Sequence, residues 1–434
     1  MTSKLTLKTG LLLFVIANGL VINWALPRLP WQPQQVTTLD YTKAFIEQGA
    51  HADSWKAMRT ALFYTDYTDE PRNKPLYSAL YFDNNVRFQY PPSSLLILKA
   101  LRGTGLADPI GDQRLNRISW WCIWGLAAVL ARVFFLARKR FGLTHEVSRS
   151  SEILFAVLAF GFTLTFYPIV RGYYLGQIQV WIDLLIAGVL WAWLEGYRRT
   201  SGVFLALICV IKPTFALVVI WGAVRKQWEF IKGFTLPMAC FALVSLLVFG
   251  WDNHTDYLGV LSYISQQGEI FHPNQSMNGL LHRLFHNGDS LTWDRNLLMT
   301  YHPWVHGGTL VSTLGLMVVG LFPPRSGPRS AGPLELSIVV LCATLASPTV
   351  WTHHYGVTLP LFAIALPAVL ALESRERARY LAPLLISFML ISNNFRLLNR
   401  LAETNFNILQ SYVYFAGLIF LALLVRLLTR VHRS

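Results

Sequence analysis

The stretch from Ser201 to Ala223 reads SGVFLALICVIKPTFALVVIWGA. It is long and apolar enough to cross a bilayer, yet it is flanked by Arg198-Arg199 before it and Arg225-Lys226 after it. Lys and Arg collect in loops that stay in the cytoplasm, so a single crossing would strand one cluster on the wrong side. Lys212-Pro213 lies in the middle, and a proline in a helix interior removes a backbone hydrogen bond and clashes with the preceding turn. A hairpin of two short helices resolves the conflict. It also sets the parity of every other helix in the chain.

Outward from this hairpin, apolar runs of about 17 to 22 residues, the length that spans a hydrocarbon core, recur near 10–26, 118–137, 151–169, 178–195, 233–250, 304–322, 333–351, 355–372, 380–393 and 411–428. They explain why 53% of the 434 residues are hydrophobic and only 14% charged, and they exclude a soluble fold. The first run follows Lys4 and Lys8 with no small-residue cleavage site before Pro27, which reads as a signal anchor. Arg138-Lys139-Arg140, Arg325 with Arg329, Arg375 with Arg377 and Arg379, and Arg426 with Arg430 and Arg433 lie beside span ends. With the hairpin counted as two, the expectation is an all-α polytopic membrane protein of about 12 transmembrane helices. It forms a single integral membrane domain over 1–434 with both termini cytoplasmic, in an inner or plasma membrane.

The net charge of +14 would suggest nucleic acid in a soluble protein. Here the excess is a topology signal and no nucleic-acid partner is expected. Cys122, Cys209, Cys240 and Cys342 sit inside apolar runs and suggest neither a disulfide framework nor a zinc site.

Two large segments remain outside: 27–117, the first outer loop, and 251–303, the second. Shorter connections lie at 170–177, 351–355 and 394–410. The apolar segment 92–101 is too short to span, so it is re-entrant or interfacial. Nine of the eleven histidines fall on this outer side, leaving only His145 and His432 inside. In 251–303 Asp252, Asp256, Glu269, Asp289 and Asp294 outnumber Arg283 and Arg295. Chemistry is therefore expected on the outer face, although interfacial loops also favour histidine and aromatics for their own sake.

Several outer residues carry competing readings. Asp40 in Leu39-Asp40-Tyr41-Thr42-Lys43 is placed to act as a general base toward a hydroxyl, or to cap the helix that follows; Asp53, Asp66, Asp69 and Asp83 are rival bases. Phe88-Gln89-Tyr90-Pro91-Pro92 holds Tyr90 and Arg87 rigidly at the interface, or is a structural turn. Arg171-Gly172-Tyr173-Tyr174-Leu175-Gly176-Gln177-Ile178-Gln179 offers a glycine turn presenting Arg171 and Gln177 to a sugar or phosphate, or glutamines bonding helix to helix. Lys212 is an intramembrane charge costing at least ~2.5 kcal/mol, which marks a functional site by default; its partner is a lipid phosphate or an internal carboxylate such as Asp183. Asn274-Gln275-Ser276-Met277-Asn278 with His282, Arg283 and His286 suits polar contacts to a sugar, with Arg283 on a phosphate. The His282/His286 spacing would seat two metal ligands, but no third is nearby. Ser347-Pro348-Thr349-Val350-Trp351-Thr352-His353-His354-Tyr355 pairs His353 and His354 at the membrane surface, for a phosphate and sugar or as part of an aromatic belt.

In order and spacing this set resembles glycosyltransferase family 87, within the GT-C class of membrane glycosyltransferases that use polyprenol-phosphate sugars. The resembling residues are Asp40 with Tyr41, Phe88-x-Tyr90-Pro91-Pro92, Gly176-Gln177, Ile211-Lys212-Pro213, Asn274-Gln275-Ser276 and Ser347-Pro348-x-x-Trp351-x-His353-His354, running from about residue 40 to 355. Gln179 stands where the family pattern has Asn. The resemblance implies a GT-C-like bundle with large outer loops and Asp40 as catalytic base. It implies a hexosyltransferase, mannosyltransferase-like, moving a sugar from a polyprenyl-phosphate donor to a cell-envelope glycolipid or polysaccharide acceptor. Arg171, Lys212, Arg283, His353 and His354 would meet the phosphate charge, with inversion by single displacement and no metal or cofactor required. A transporter or lipid flippase is the rival, suggested by the broken helix with Lys212 near the midplane; the lack of an internal repeat and the two large outer loops favour the enzyme.

Overall fold

A computed structural model describes residues 36–67, 74–103, 112–143, 149–293, 300–324 and 332–431, together with Phe14 and Asn18. The rest of the first apolar run, the Arg325/Arg329 cluster, Asp69, Arg295, Arg433 and His432 lie outside the described residues.

The described chain is all-α. After α1 (Thr38–Ile46) and α2 (Asp53–Tyr67), a one-turn helix at Pro92–Ser94 leads into α3 (Leu95–Gly103) and then α4 (Asp112–Arg140). Next come α5 (Arg149–Leu164), α6 (Tyr167–Leu175), α7 (Gln179–Glu195), α8 (Arg198–Ile211), α9 (Leu217–Val224) and α10 (Trp228–Gln267). The second outer segment holds α11 (Met277–Leu284), and the chain closes with α12 (Pro303–Leu321), α13 (Gly332–Leu345), α14 (Thr358–Leu370), α15 (Ser374–Ile391) and α16 (Tyr412–Val431).

Among the described residues five helices are long and apolar enough to cross a membrane: Asp112–Arg140, Trp228–Gln267, Pro303–Leu321, Thr352–Leu370 and Asn407–Arg430. Counting α5 and α6, bent by 51°, as one span makes six. This multi-pass count is lower than the twelve crossings read from sequence: the first run lies outside the described residues but for Phe14 and Asn18, α7, α8, α9 and α13 are short, and α15 opens on the charged turn Ser374–Arg379.

Burial separates lipid-facing from central helices. Leu236, Leu243 and Leu247 on α10 and Val311, Leu314 and Val318 on α12 are exposed, as apolar groups facing hydrocarbon should be. Every residue of α13 from Pro333 to Leu345 is buried. A helix apolar all round belongs in the middle of a bundle.

The hairpin is visible in the contacts of its ends. Lys212 leaves helical geometry (φ −137°, ψ 88°). Trp221 near the end of α9 packs 5.5 Å from Trp193 at the end of α7, and Trp193 also meets Phe230 at the start of α10. Both ends of 198–224 therefore lie at the same end of the bundle, with Lys212-Pro213 at the far tip. Ion pairs gather at the basic end: Arg132–Glu195, Arg199–Glu229 and the buried Arg225–Glu335 at 2.7 Å.

At the opposite end the two large outer segments are bound to each other. Gly250 breaks α10 with φ 76°, a region that suits glycine. Beyond it, Asp256 accepts hydrogen bonds from the Tyr77 and Ser78 amides and from Ser78 Oγ, and Asn253 accepts from the Leu76 amide. The segment 92–101 runs as the Pro92 turn and α3, where Ser93 Oγ donates to the Val210 carbonyl at 2.8 Å, beside the hairpin tip.

Candidate active site

The site is built around α6, which the sequence places in a loop. Pro168 opens this helix and Gly176 closes it at φ 69°, the left-handed geometry of a glycine helix stop. A side chain at Gly176 would also stand 2.2 Å from the His51 carbonyl oxygen. Arg171 is thus fixed on a helix rather than carried by a turn. Its guanidinium donates to Tyr167 Oη through Nη1, and its buried Nε has no partner among the described residues.

Asp40 lies on α1, which packs against α6 through Tyr41, whose ring is 5.8 Å from Tyr167 and 5.0 Å from Tyr174. Thr37 is the N-cap. Its hydroxyl accepts from the Asp40 amide, and Asp40 Oδ2 accepts from the Thr37 amide at 2.6 Å and from Thr37 Oγ1 at 2.8 Å. This reciprocal pair is a capping box. The exposed carboxylate is therefore oriented by the helix start.

Gln177 does not face an open site. Its amide donates to Asp53 at 2.5 Å, its carbonyl accepts from Ser54 Oγ at 2.6 Å, and Ser54 in turn lies 3.2 Å from Tyr90 Oη. These bonds clip α2 and the Tyr90-Pro91-Pro92 entrance onto the α6–α7 junction. Burial first, then the charge of Asp53, pushes the Tyr90 phenol up to about 12. Arg87 lies 5.1 Å from the Tyr81 ring centroid, near Glu269.

At the hairpin tip, Lys212 Nζ donates to Gln179 Oε1 at 3.4 Å, and Gln179 donates to Asp183 Oδ1 at 2.8 Å. Asp183 is fully buried and its Oδ2 has no hydrogen-bond partner among the described residues. The turn Thr352–Val357 lies over this group. His353 packs on Gly172 of α6, close enough to both Arg171 and Lys212 for the two charges to act on it. His354 lies against it with ring centroids 4.7 Å apart, and its Nδ1 accepts from the Trp351 amide.

Three sequence candidates are used for a different purpose. Arg283 is fully buried and donates to the Ile270 and Asn274 carbonyls and twice to Ser411 Oγ. Asn274 accepts from the Val350 amide and donates to the Glu269 carbonyl. Gln275 donates to the His272 and Gln410 carbonyls and accepts from the Val413 and Tyr414 amides at the start of α16. Together with the Asn274–Trp351 bridge and the bond from Tyr355 Oη to the Gln275 carbonyl, they stitch the second outer segment to the His353 turn. Arg283 is not placed to meet a phosphate: burial selects its carbonyl partners because an unpaired buried guanidinium would be costly. His282 is likewise spent on the Gln267 carbonyl and Asn287.

The structure adds residues that sequence reasoning passed over. A polar cleft beside Arg171 is lined by Tyr167, His272, Asn394, Arg396, Asn399 and Tyr412. Burial first, then the nearby Arg171 and Arg283 charges and Arg396, pushes the His272 imidazole down to about 3. It stays neutral, with Nδ1 on the Ser290 carbonyl and Nε2 facing the Asn399 amide. A signal for Arg396 was present: Arg396 and Arg400 lie in a short outer connection, where the positive-inside bias leaves few basic residues.

The sequence pattern of glycosyltransferase family 87 matches residues 88–348. The chain is also similar to the polyprenol-phosphate-mannose-dependent alpha-(1-2)-phosphatidylinositol pentamannoside mannosyltransferase of Mycobacterium tuberculosis (strain CDC 1551 / Oshkosh), 24% identical over 293 residues. That match covers 66% of this chain and 61% of the relative.

Proposed function

Because this chain belongs to glycosyltransferase family 87, we propose that it moves a hexose, mannose, from a polyprenyl-phosphate donor to a cell-envelope glycolipid or polysaccharide at the outer face of the inner or plasma membrane. Mannose and the lipid-linked donor are taken from the name of the mycobacterial relative. Both termini are cytoplasmic in this reading, and the bundle has about 12 crossings once short helices and the first apolar run are included.

The observation that carries the reading is that the His353 turn packs on Gly172, next to Arg171, and through Gly356 on Asp183 of the Lys212–Gln179–Asp183 chain, with α1 and its Asp40 packed against the same helix α6. Asp40 takes the proton of the acceptor hydroxyl as its oxygen attacks the anomeric carbon, a general-base role worth about 10²–10⁴-fold. The transition state has oxocarbenium character, and negative charge grows on the departing phosphate. Fixed cations in a water-poor site stabilise that charge most; Arg171 and Lys212 supply them, while His353 and His354 donate as needed. A single displacement inverts the anomeric centre. The capping box supports the role of Asp40 by holding its carboxylate at one rotamer while leaving it exposed.

The test is transfer of radiolabelled mannose from a polyprenyl-phosphate donor in membranes carrying the protein. Asp40→Asn should lose at least about 100-fold in rate while the protein remains monodisperse in detergent. Full transfer by that variant would remove Asp40 from the chemistry. Uptake of a soluble substrate without lipid donor would favour transport instead.

A further inference from the structure

Directly below the polar cleft lies a second space of opposite character. It is a partly open apolar groove of about 110 Å³ between α4, α5, α14 and α15, lined by side chains such as Phe14, Phe134, Ala159, Phe162, Leu366 and Phe388. Cleft and cavity are carried by the same two chain segments. In one, Phe162 faces the cavity while Tyr167 and Arg171 face the cleft; in the other, Phe388 faces the cavity while Asn394 and Arg396 face the cleft. Between them stands a polar collar: the Tyr167 amide donates to the Ser392 carbonyl at 3.2 Å and Asn393 donates to Asn18 Oδ1 at 2.6 Å. Phe388 closes the top of the cavity, with Phe14, Phe162, Phe166 and Phe362 rings 5.2–5.9 Å away.

The cleft has its own unmet demand. Arg171 Nε and Thr352 Oγ1 are buried there without partners, and Arg396 makes no hydrogen bond or ion pair among the described residues. Buried polar groups left unpaired are rare and ask for an explanation. Two guanidinium groups beside unfilled donors suit a phosphate monoester or diester, which arginine binds by paired hydrogen bonds. An apolar groove on the far side of the collar from such a cleft suits a hydrocarbon attached to that phosphate.

We infer that Arg171 and Arg396 hold the phosphate of a long-chain polyprenyl phosphate, the chain of which passes the Asn18–Ser392–Asn393 collar into the cavity beneath. This rests on the proposed function and deepens it by assigning the lipid half of the donor to one route through the bundle. In this arrangement the sugar end points from the cleft toward α1 and Asp40. Arg396, which the family resemblance does not include, becomes a binding residue. The cavity, rather than the outer loops, sets how long a chain is preferred.

The experiment measures binding to the purified full-length protein in detergent, using a long-chain polyprenyl monophosphate, geranyl monophosphate, the uncharged polyprenol and inorganic phosphate as separate probes. The long-chain monophosphate should bind at least about tenfold more tightly than geranyl monophosphate, because more of its apolar chain leaves water on binding. Arg396→Gln should weaken the monophosphate about tenfold and leave the polyprenol unchanged. Ala159→Phe, which fills the cavity, should weaken both long-chain probes and spare geranyl monophosphate. Arg396→Gln alters a half-buried residue at the start of the short helical turn Arg396–Leu401, with no hydrogen bond among the described residues, so its binding result does not depend on how Ala159→Phe folds. Wild-type affinity of the Arg396→Gln and Ala159→Phe variants for the long-chain monophosphate would overturn the inference, as would inorganic phosphate binding as tightly as the lipid. If wild type transfers sugar while those variants bind and transfer normally, only this route fails. If wild type neither binds the lipid phosphate nor transfers sugar, the proposed function fails with it.

Discussion

Gly356 lies directly over the buried carboxylate of Asp183: a methyl group on Gly356 would stand 2.1 Å from Asp183 Oδ2 and 2.6 Å from its Cγ. The helical turn bearing His353 and His354 and the helix bearing Asp183 are thereby in contact through a site with no room for a side chain. Gly356→Ala should push the turn away from α7 and lower the transfer rate more than tenfold, with a stability loss of about 1–3 kcal/mol, the usual cost of overpacking. Activity and melting temperature measured on one preparation check this; an alanine variant with normal rate and melting temperature would contradict it.

Buried Arg283 and half-buried Arg171 should separate cleanly. Arg283→Met leaves the Ile270 and Asn274 carbonyls without their donor, so it should cost about 2–4 kcal/mol in stability and act on activity only through folded fraction. Arg171→Gln should retain most of the stability and lose transfer, with the loss in kcat exceeding any change in melting. Measuring kcat per folded molecule for both variants decides between them.

Gly176 should be intolerant for two independent reasons, its positive φ of 69° and the His51 carbonyl 2.2 Å from any Cβ. Gly176→Ala should cost at least about 1–2 kcal/mol from backbone strain alone. Gln177→Ala, which releases Asp53 and Ser54 of α2, should instead raise proteolytic nicking of the first outer segment at little change in the bundle. Limited proteolysis and thermal melting distinguish the two effects.

The second outer segment should loosen in acid. The His272 imidazole is pushed down to about 3 and that of His282 to about 4, each by burial first, against about 6.5 in an unfolded chain. Between those values the unfolded chain binds more protons, so stability falls as pH falls. The contribution is complete above about pH 6.5 and is lost progressively toward pH 3–4. His272→Gln should flatten the acid limb of a melting-temperature profile measured from pH 7 to pH 4; an unchanged limb would show that His272 does not carry it.

The helical, membrane-embedded class was legible because hydrocarbon demands long apolar runs and leaves charges at their ends, a constraint written along the chain. The hairpin was legible for the same reason, since Pro213 and the clusters at Arg198 and Arg225 are local signals. Arg171 on a helix was not, because Pro168 and Gly176 look alike whether they bound a short helix or a loop. The roles of Arg283 and Gln275 were hidden as well. Polar residues that bind a ligand and polar residues that satisfy buried carbonyls share one composition, and only the partner atoms tell them apart.

What the amino-acid sequence determined by itself is therefore the solvent, the helical class and the family: apolar run length, charge placement and an ordered set of short motifs are properties of the chain read in one dimension. Which of the motif residues face one another was decided only in three dimensions. The His353 turn packs on Gly172 beside Arg171 and on Asp183, which Gln179 links to Lys212, while Arg283, Asn274 and Gln275 turn inward to hold that turn. Arg396 joins the cleft from a connection more than two hundred residues after Arg171 in the chain. Burial in a medium without water makes each polar group find a partner, and the fold sets which one is within reach.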